Sequence, residues 1–181
     1  MQQPTQPFVV RAALPTDIPA LMRLKRLLAA DENSLDAVRA TEAHWLRDGF
    51  GPSAGFCAFV AEAGGAVAGS VVDNVVGMAT CSKRVITGWN GPIVFLQDLF
   101  VEAQHRKHGI ARALMARVAA YACEIGSPIV ELTVRADNAA AQNFYRQTGC
   151  TALPQCLTYV LAGPSLTTLA AQHKPSLALA G

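Results

Sequence analysis

Phe95-Leu96-Gln97-Asp98-Leu99-Phe100-Val101, followed closely by Arg106-Lys107-His108-Gly109-Ile110-Ala111-Arg112, is the stretch on which the reading of this chain turns. The first part belongs to an apolar run from Ile93 to Val101, the clearest strand in the sequence. From Gly109 to Ile125 the period changes. Ile110, Leu114, Val118 and Ala122 recur at helical spacing, with Ala111, Met115 and Ala119 alongside, so a helix with a wide apolar face is expected. A strand that passes through a glycine-containing loop into a long helix is an anion-binding geometry. Unpaired N–H groups at the helix start point outward, and the helix dipole favours negative charge there. Gly109 has no Cβ to keep a phosphate away from the backbone. Neither Gly-x-x-x-x-Gly-Lys-Ser/Thr nor Gly-x-Gly-x-x-Gly occurs, so the P-loop and dinucleotide fingerprints are absent.

On the N-terminal side, Phe8-Val9-Val10-Arg11 reads as a first strand. Pro15-Thr16-Asp17 opens a helix with Ile18, Leu21, Leu24 and Leu28 on one stripe. Asp31 to Asp36 is polar and breaks that pattern. Thr41 to Leu46 reads as a second helix, ended by Asp48-Gly49-Phe50-Gly51-Pro52. Cys57 to Ala63, Ala66 to Val72 and Val75 to Cys81 are short Val-rich runs expected as buried strands. Beyond the long helix, Gly126-Ser127-Pro128 is a stop and Ile129 to Val134 alternates as a strand. Asp137-Asn138 caps a helix from Ala139 to Thr148, with Gly149 at the position favoured after a helix end. Tyr159-Val160-Leu161 is expected to close a last strand. The reading is one α+β domain over residues 8–161. Its central sheet is mixed, mostly antiparallel, of about six to seven strands, flanked by about four helices. Residues 162–181 form a tail read as a loose helix, a dimer arm or disorder.

The bulk composition narrows the function. Of 181 residues, 51% are apolar and 15% charged, which excludes a disordered chain. Fifteen basic against thirteen acidic residues leave a charge of +2, no footprint for a nucleic-acid binder. Five cysteines without Cys-x-x-Cys spacing read as reduced thiols. No apolar run approaches the ~18 residues of a membrane span, and the start is not patterned as a signal peptide. A soluble cytoplasmic protein is expected, without nucleic-acid or membrane partners. His105 and His108 lie in a basic loop without a carboxylate partner, so no metal is expected.

Arg106, Gly109 and Ala111 fit the pattern Gln/Arg-x-x-Gly-x-Gly/Ala, with Asn138 and Tyr145 downstream. In this the chain resembles the GNAT superfamily of acetyl-CoA-dependent N-acetyltransferases. Thr41-Glu42 through Asp48-Gly49-Phe50-Gly51, Val60-Ala61-Glu62, Trp89, Leu96 to Val101 and Asn143-Phe144-Tyr145 are similar to its diamine/polyamine (spermidine/spermine-type) branch. The resemblance implies transfer of an acetyl group to a primary amine by direct attack in a ternary complex. It also implies that the backbone of Leu99, Phe100 and Val101 pairs with the pantetheine arm of acetyl-CoA. Arg106, Lys107, His108, Gly109, Ile110, Ala111 and Arg112 would hold the pyrophosphate. Asn138 and Ala141 would reach the pantetheine, and Tyr145 would protonate the leaving thiolate. Members of the branch are commonly homodimers, and a homodimer is the corresponding expectation here.

The acceptor side is less determined. The branch has a glutamate where this chain has Gln97, which can neither take a proton nor pair with a cationic amine. In a regular strand Asp98 points to the opposite face. Candidates to contact the amine are therefore Asp31, Glu32, Gln97, Glu131 and Thr133. Glu32 matches a substrate-contacting acidic residue of the branch, and Glu131 and Thr133 share one face of their strand. Few carboxylates line 31–36, which suits a small amine, diamine or amino acid better than a long polycation. Two alternatives stay open: an acyl-CoA-binding or sensing module without turnover, and a peptide or protein N-acetyltransferase.

Overall fold

A computed structural model of the chain describes residues 7–64, 74–88 and 91–172. Residues up to Asn138 and residues from Ala139 onward form two compact units.

The first unit is built on one sheet. β1 (Phe8–Ala12), β2 (Cys57–Ala63), β3 (Val75–Val85) and β4 (Pro92–Val101) follow one another as antiparallel neighbours, and β5 (Val130–Leu132) joins β4 in parallel. Three helices accompany it: α1 (Ile18–Asp31), α2 (Glu42–Phe50) and α3 (Ile110–Glu124). The α+β class and the mixed, mostly antiparallel sheet are as read from the sequence; the strand count is not. Five strands occur among the described residues. The expected strand Ala66 to Val72 and the expected site of Trp89 lie outside them. Tyr159-Val160-Leu161 is no strand: it has no regular structure, is 51–88% exposed, and has no ladder partner among the described residues. An apolar triplet becomes a strand only where a neighbour accepts its hydrogen bonds.

α1 follows from its sequence. Ile18, Leu21 and Leu24 are buried at helical spacing, and they pack with Trp45 of α2 against Ala58, Val60, Val75, Met78 and Phe100 of the sheet. The opposite face of the sheet receives α3. Ile110, Leu114, Val118 and Ala122 recur every four residues and are all buried, with Met115; Ala119, expected beside them, is exposed. Each large apolar side chain so buried contributes about 1.5–3 kcal/mol. The first turn of α3 sits directly on β3: a Cβ on Gly77 would lie 3.3 Å from both Ile110 Cγ2 and Leu114 Cδ1. No described helix is long and apolar enough to cross a membrane.

One buried polar cluster pins α1 to the sheet edge. Arg11 of β1 donates to both Asp17 oxygens, at 2.6 and 2.8 Å, and to Glu62 of β2 at 2.5 Å. Leu14 N–H adds a third donor to Asp17, at 2.7 Å. Burial pushes the Asp17 carboxyl up, but the hydrogen bonds from Arg11 and Leu14 outweigh it and hold the group below its usual range. Its charged form therefore stabilises the fold above the unfolded-state value, and that contribution is lost as pH falls through the lower, folded value. Asp17→Ala should lose stability toward the lower end of the ~3–5 kcal/mol typical of breaking a buried pair, since Arg11 keeps Glu62. It should also flatten the acid limb of stability against pH. Urea midpoints measured from neutral to acid pH check both effects; an unchanged acid limb would remove Asp17 from this role.

The second unit holds α4 (Ala139–Gln147) and α5 (Gly163–Ala170). α4 ends as expected at Gly149, whose φ is +94°. There Gly149 N–H reaches the Arg146 carbonyl and Cys150 N–H the Tyr145 carbonyl, the paired closure of a Schellman motif. α5 gives the tail a helix from 163 to 170; residues 173–181 lie outside the described residues.

Candidate functional site

The site begins with an irregularity in β4. Asp98 pairs with Thr80 and Leu96 with Cys81, so Gln97 has no counterpart on β3. This bulge overturns the expectation that Gln97 and Asp98 face opposite ways. Gln97 Nε2 lies 3.4 Å from Ser82 Oγ and Asp98 Oδ2 accepts from Thr80 Oγ1 at 2.8 Å. Thr80 and Ser82 are two residues apart on β3 and share a face, so the two β4 side chains stand side by side. Asp98 also accepts from Lys25 Nζ of α1 at 2.5 Å. Sequence reasoning missed Lys25 and Thr80 as its partners, because Lys25 stands between Arg23 and Arg26 and nothing in the pattern singles it out.

The bulge also marks where the sheet divides. β5 pairs with β4 only from Val94 to Leu96, and a bulge bends the strand that carries it. Thr133 therefore lies past the end of β5, exposed, and does not share a strand face with Glu131 as expected. Beyond Leu96, β4 continues to Val101 with β3 alone. Glu102 N–H bonds the Val76 carbonyl at 2.9 Å, so the even-numbered residues, Phe100 included, direct their backbone groups toward β3. Leu99 and Val101 then direct theirs to the other edge, where no described strand pairs with them.

At the end of that edge lies the loop. Lys107 (φ +66°) and Gly109 (φ +85°) both adopt left-handed conformations. Gly109 is the N-cap of α3 and no side chain caps the helix start. The first intrahelical bond is Ala113 N–H to the Gly109 carbonyl, so the N–H groups of Ile110, Ala111 and Arg112 precede the ladder. Val101, His105, Arg106, Lys107, Gly109, Ile110, Ala111 and Arg112 line a depression of about 140 Å³. Beside it, His108 Nδ1 is buried and has no hydrogen-bond partner among the described residues. The geometry suits a phosphate: successive backbone N–H groups, a helix N-terminus and surrounding cations. Arg106 has a different part. Its Nε donates to the Val101 carbonyl at 2.8 Å and its Nη2 to Asp31 at 2.6 Å, which clips the loop to β4 and to the end of α1.

The acidic candidates are not gathered in one place. Asp31 is engaged by Arg106, and Glu131 lies 3.8 Å from Arg84. Glu32 lines a second pocket of about 290 Å³, with Lys25, Ala29, Ser34, Ala37, Val38, Arg39, Ala40 and Trp45. Asn138 ends the first unit, its N–H bonded to the Arg135 carbonyl. In the second unit, α4 carries Ala141 and Tyr145, both half-buried; the Tyr145 ring stands edge-on to Phe144, with centroids 5.4 Å apart. Among the described residues no group of three or more His, Cys, Asp or Glu could hold a metal ion.

A family model described as the Acetyltransferase (GNAT) family matches residues 22–150. The chain belongs to that family. With it comes membership of the acyltransferases. A human spermidine/spermine N(1)-acetyltransferase-like protein 1 is 32% identical over 78% of this chain, which spans 20% of that protein's length. A mouse thialysine N-epsilon-acetyltransferase is 30% identical over 89% of this chain and 96% of its own. Among solved structures, an aminoglycoside N-acetyltransferase in complex with CoA superposes with a TM-score of 0.64 over 88% of this chain and 98% of that one, at 19% identity. That likeness is one of fold.

Proposed function

We propose that this chain transfers the acetyl group of acetyl-CoA to the primary amine of a small molecule. The observation that carries the reading is the divided sheet. The edge of β4 at Leu99 and Val101, which pairs with no described strand, leads straight to the start of α3. Pantetheine amides can satisfy the backbone groups of Leu99 and the N–H of Val101, whose carbonyl is held by Arg106, and the pyrophosphate can sit against the N–H groups of residues 110–112. Arg106 then acts by holding the loop in shape, while Lys107 and Arg112 add positive charge. Asn138 and Ala141 are assigned to the pantetheine and Tyr145 to protonation of the departing thiolate. The amine nitrogen forms its bond to the thioester carbonyl carbon, the C–S bond breaks, and the amine's proton leaves to a base or to water. A backbone N–H of β4 would stabilise the oxyanion.

The pocket beside α1 is assigned to the acceptor. It presents both signs of charge, Lys25 and Arg39 against Glu32. That mixture suits an amine that also bears a carboxylate better than a long polycation, because like charges facing each other cost affinity. The mouse relative named for thialysine acetylation is consistent with this choice. The same reading takes the chain to be cytoplasmic and homodimeric, with neither nucleic acid nor membrane as partner. Thiol release from acetyl-CoA should be fastest with thialysine or a similar amino acid, slower with spermidine and slowest with an aminoglycoside. The reverse order would move the acceptor away from this pocket.

Gln97 supports a second reading, a module that binds acyl-CoA without turnover, since it removes the branch's carboxylate. Tight binding with no thiol release on any amine would establish that reading and overturn the first. Release with peptide N-termini alone would reassign the acceptor class.

A further inference from the structure

Cys57 and Cys81 are 24 residues apart in sequence and face each other directly across the β2–β3 ladder. Opposed residues in antiparallel strands have Cα atoms roughly 4.5–5.5 Å apart, inside the range a disulfide tolerates. Their sulfur atoms are 3.3 Å apart, so a bond requires them to close by roughly an ångström. Cys81 is fully buried and Cys57 half-buried, and neither takes part in the acyl transfer described above. We propose that this pair is a peroxide-sensitive modification site that forms a reversible intrachain disulfide.

The two thiols are differentiated for that chemistry. The Cys57 thiol is drawn down to about 7, chiefly by the hydrogen bond from Cys81, with Tyr121, Lys83 and Arg117 adding to it against the effect of burial. The hydrogen bond to Cys57, together with burial, pushes the Cys81 thiol up. Near neutrality a larger share of Cys57 than of an ordinary thiol is then thiolate, the nucleophilic form. The Cys57 thiolate attacks a peroxide oxygen, breaks the O–O bond and becomes a sulfenic acid, while the departing hydroxide regains from solvent the proton that Cys57 had released and leaves as water. Cys81 sulfur then attacks Cys57 sulfur, and the sulfenic oxygen leaves as water with the Cys81 proton. Two thiols and one hydrogen peroxide give one disulfide and two waters. A dithiol reductant reverses the change by exchange.

The test uses the full chain. After treatment with hydrogen peroxide and alkylation of the remaining thiols, alkylated cysteines should fall from five to three. Peptide mapping should show a Cys57–Cys81 link in most molecules that disappears with dithiothreitol. In Cys81→Ser, dimedone should trap a sulfenic acid at Cys57, and Cys57→Ser should give no trapping at position 81. A linkage through Cys123, Cys150 or Cys156, or five thiols still reactive, overturns the proposal. Mapping of the unmutated chain decides the matter even if a serine variant fails to fold.

Discussion

Gly109→Glu should weaken acetyl-CoA binding by at least about a hundredfold, read as Kd by calorimetry. The proposed cradle works because the backbone at the α3 start is bare, and a carboxylate there would face a pyrophosphate at close range. Like charges a few ångströms apart cost about 1–4 kcal/mol each in partly solvated surroundings, and about 1.4 kcal/mol is tenfold in affinity. Glutamate at φ +85° also strains the loop by about 1–3 kcal/mol. Gly109→Asn separates the two effects, because asparagine tolerates the left-handed region and adds no charge. The asparagine variant should bind within a few-fold of the parent. If the glutamate variant binds normally, the pyrophosphate lies elsewhere.

Tyr145→Phe should lower kcat by about 10²–10⁴, the usual contribution of a positioned general acid, and leave the Kd for acetyl-CoA nearly unchanged. The substitution removes one oxygen and keeps the ring that stands edge-on to Phe144, so α4 should retain its packing. Single-turnover rates with saturating amine would report the step itself. An unchanged rate would leave Tyr145 as a packing residue and open the search for another proton donor. The phenylalanine variant is informative only beside a binding measurement, since loss of both turnover and affinity would mean a displaced helix.

The sequence made the framework legible where periodicity was strong. β1, β2, β4 and α3 fall within a residue or two of their expected bounds, because long apolar stripes leave few alternatives; α1 begins at Ile18, after a 3-10 turn over Pro15–Asp17. Where expectation failed, the deciding force was pairing with a distant partner. Tyr159-Val160-Leu161 has the composition of a strand and no described neighbour to bond. Alternation alone puts Thr133 on a strand face, but β5 stops at Leu132, and its pairing with β4 ends at Leu96, where the bulge begins. The loop of the candidate site is readable as a motif, yet the separate part of Arg106, clipped to Val101 and Asp31, depends on residues brought close only by the fold. The Cys57–Cys81 pairing was equally hidden, as no spacing rule links positions on neighbouring strands without knowing their register.

The unpaired Gln97 has a consequence for how this protein can vary. Side-by-side placement of Gln97 and Asp98, and the parting of β5 from β4, rest on one residue more in β4 than in β3. That is a property of count, not of identity. Exchanging the side chain at 97 alters its chemistry and leaves the gap in place. Deleting the position restores one-to-one pairing, straightens β4 and lets β5 zip on past Leu96. A substitution at 97 should therefore leave the strand pairing as it is, whereas a deletion there should change the shape of the sheet itself.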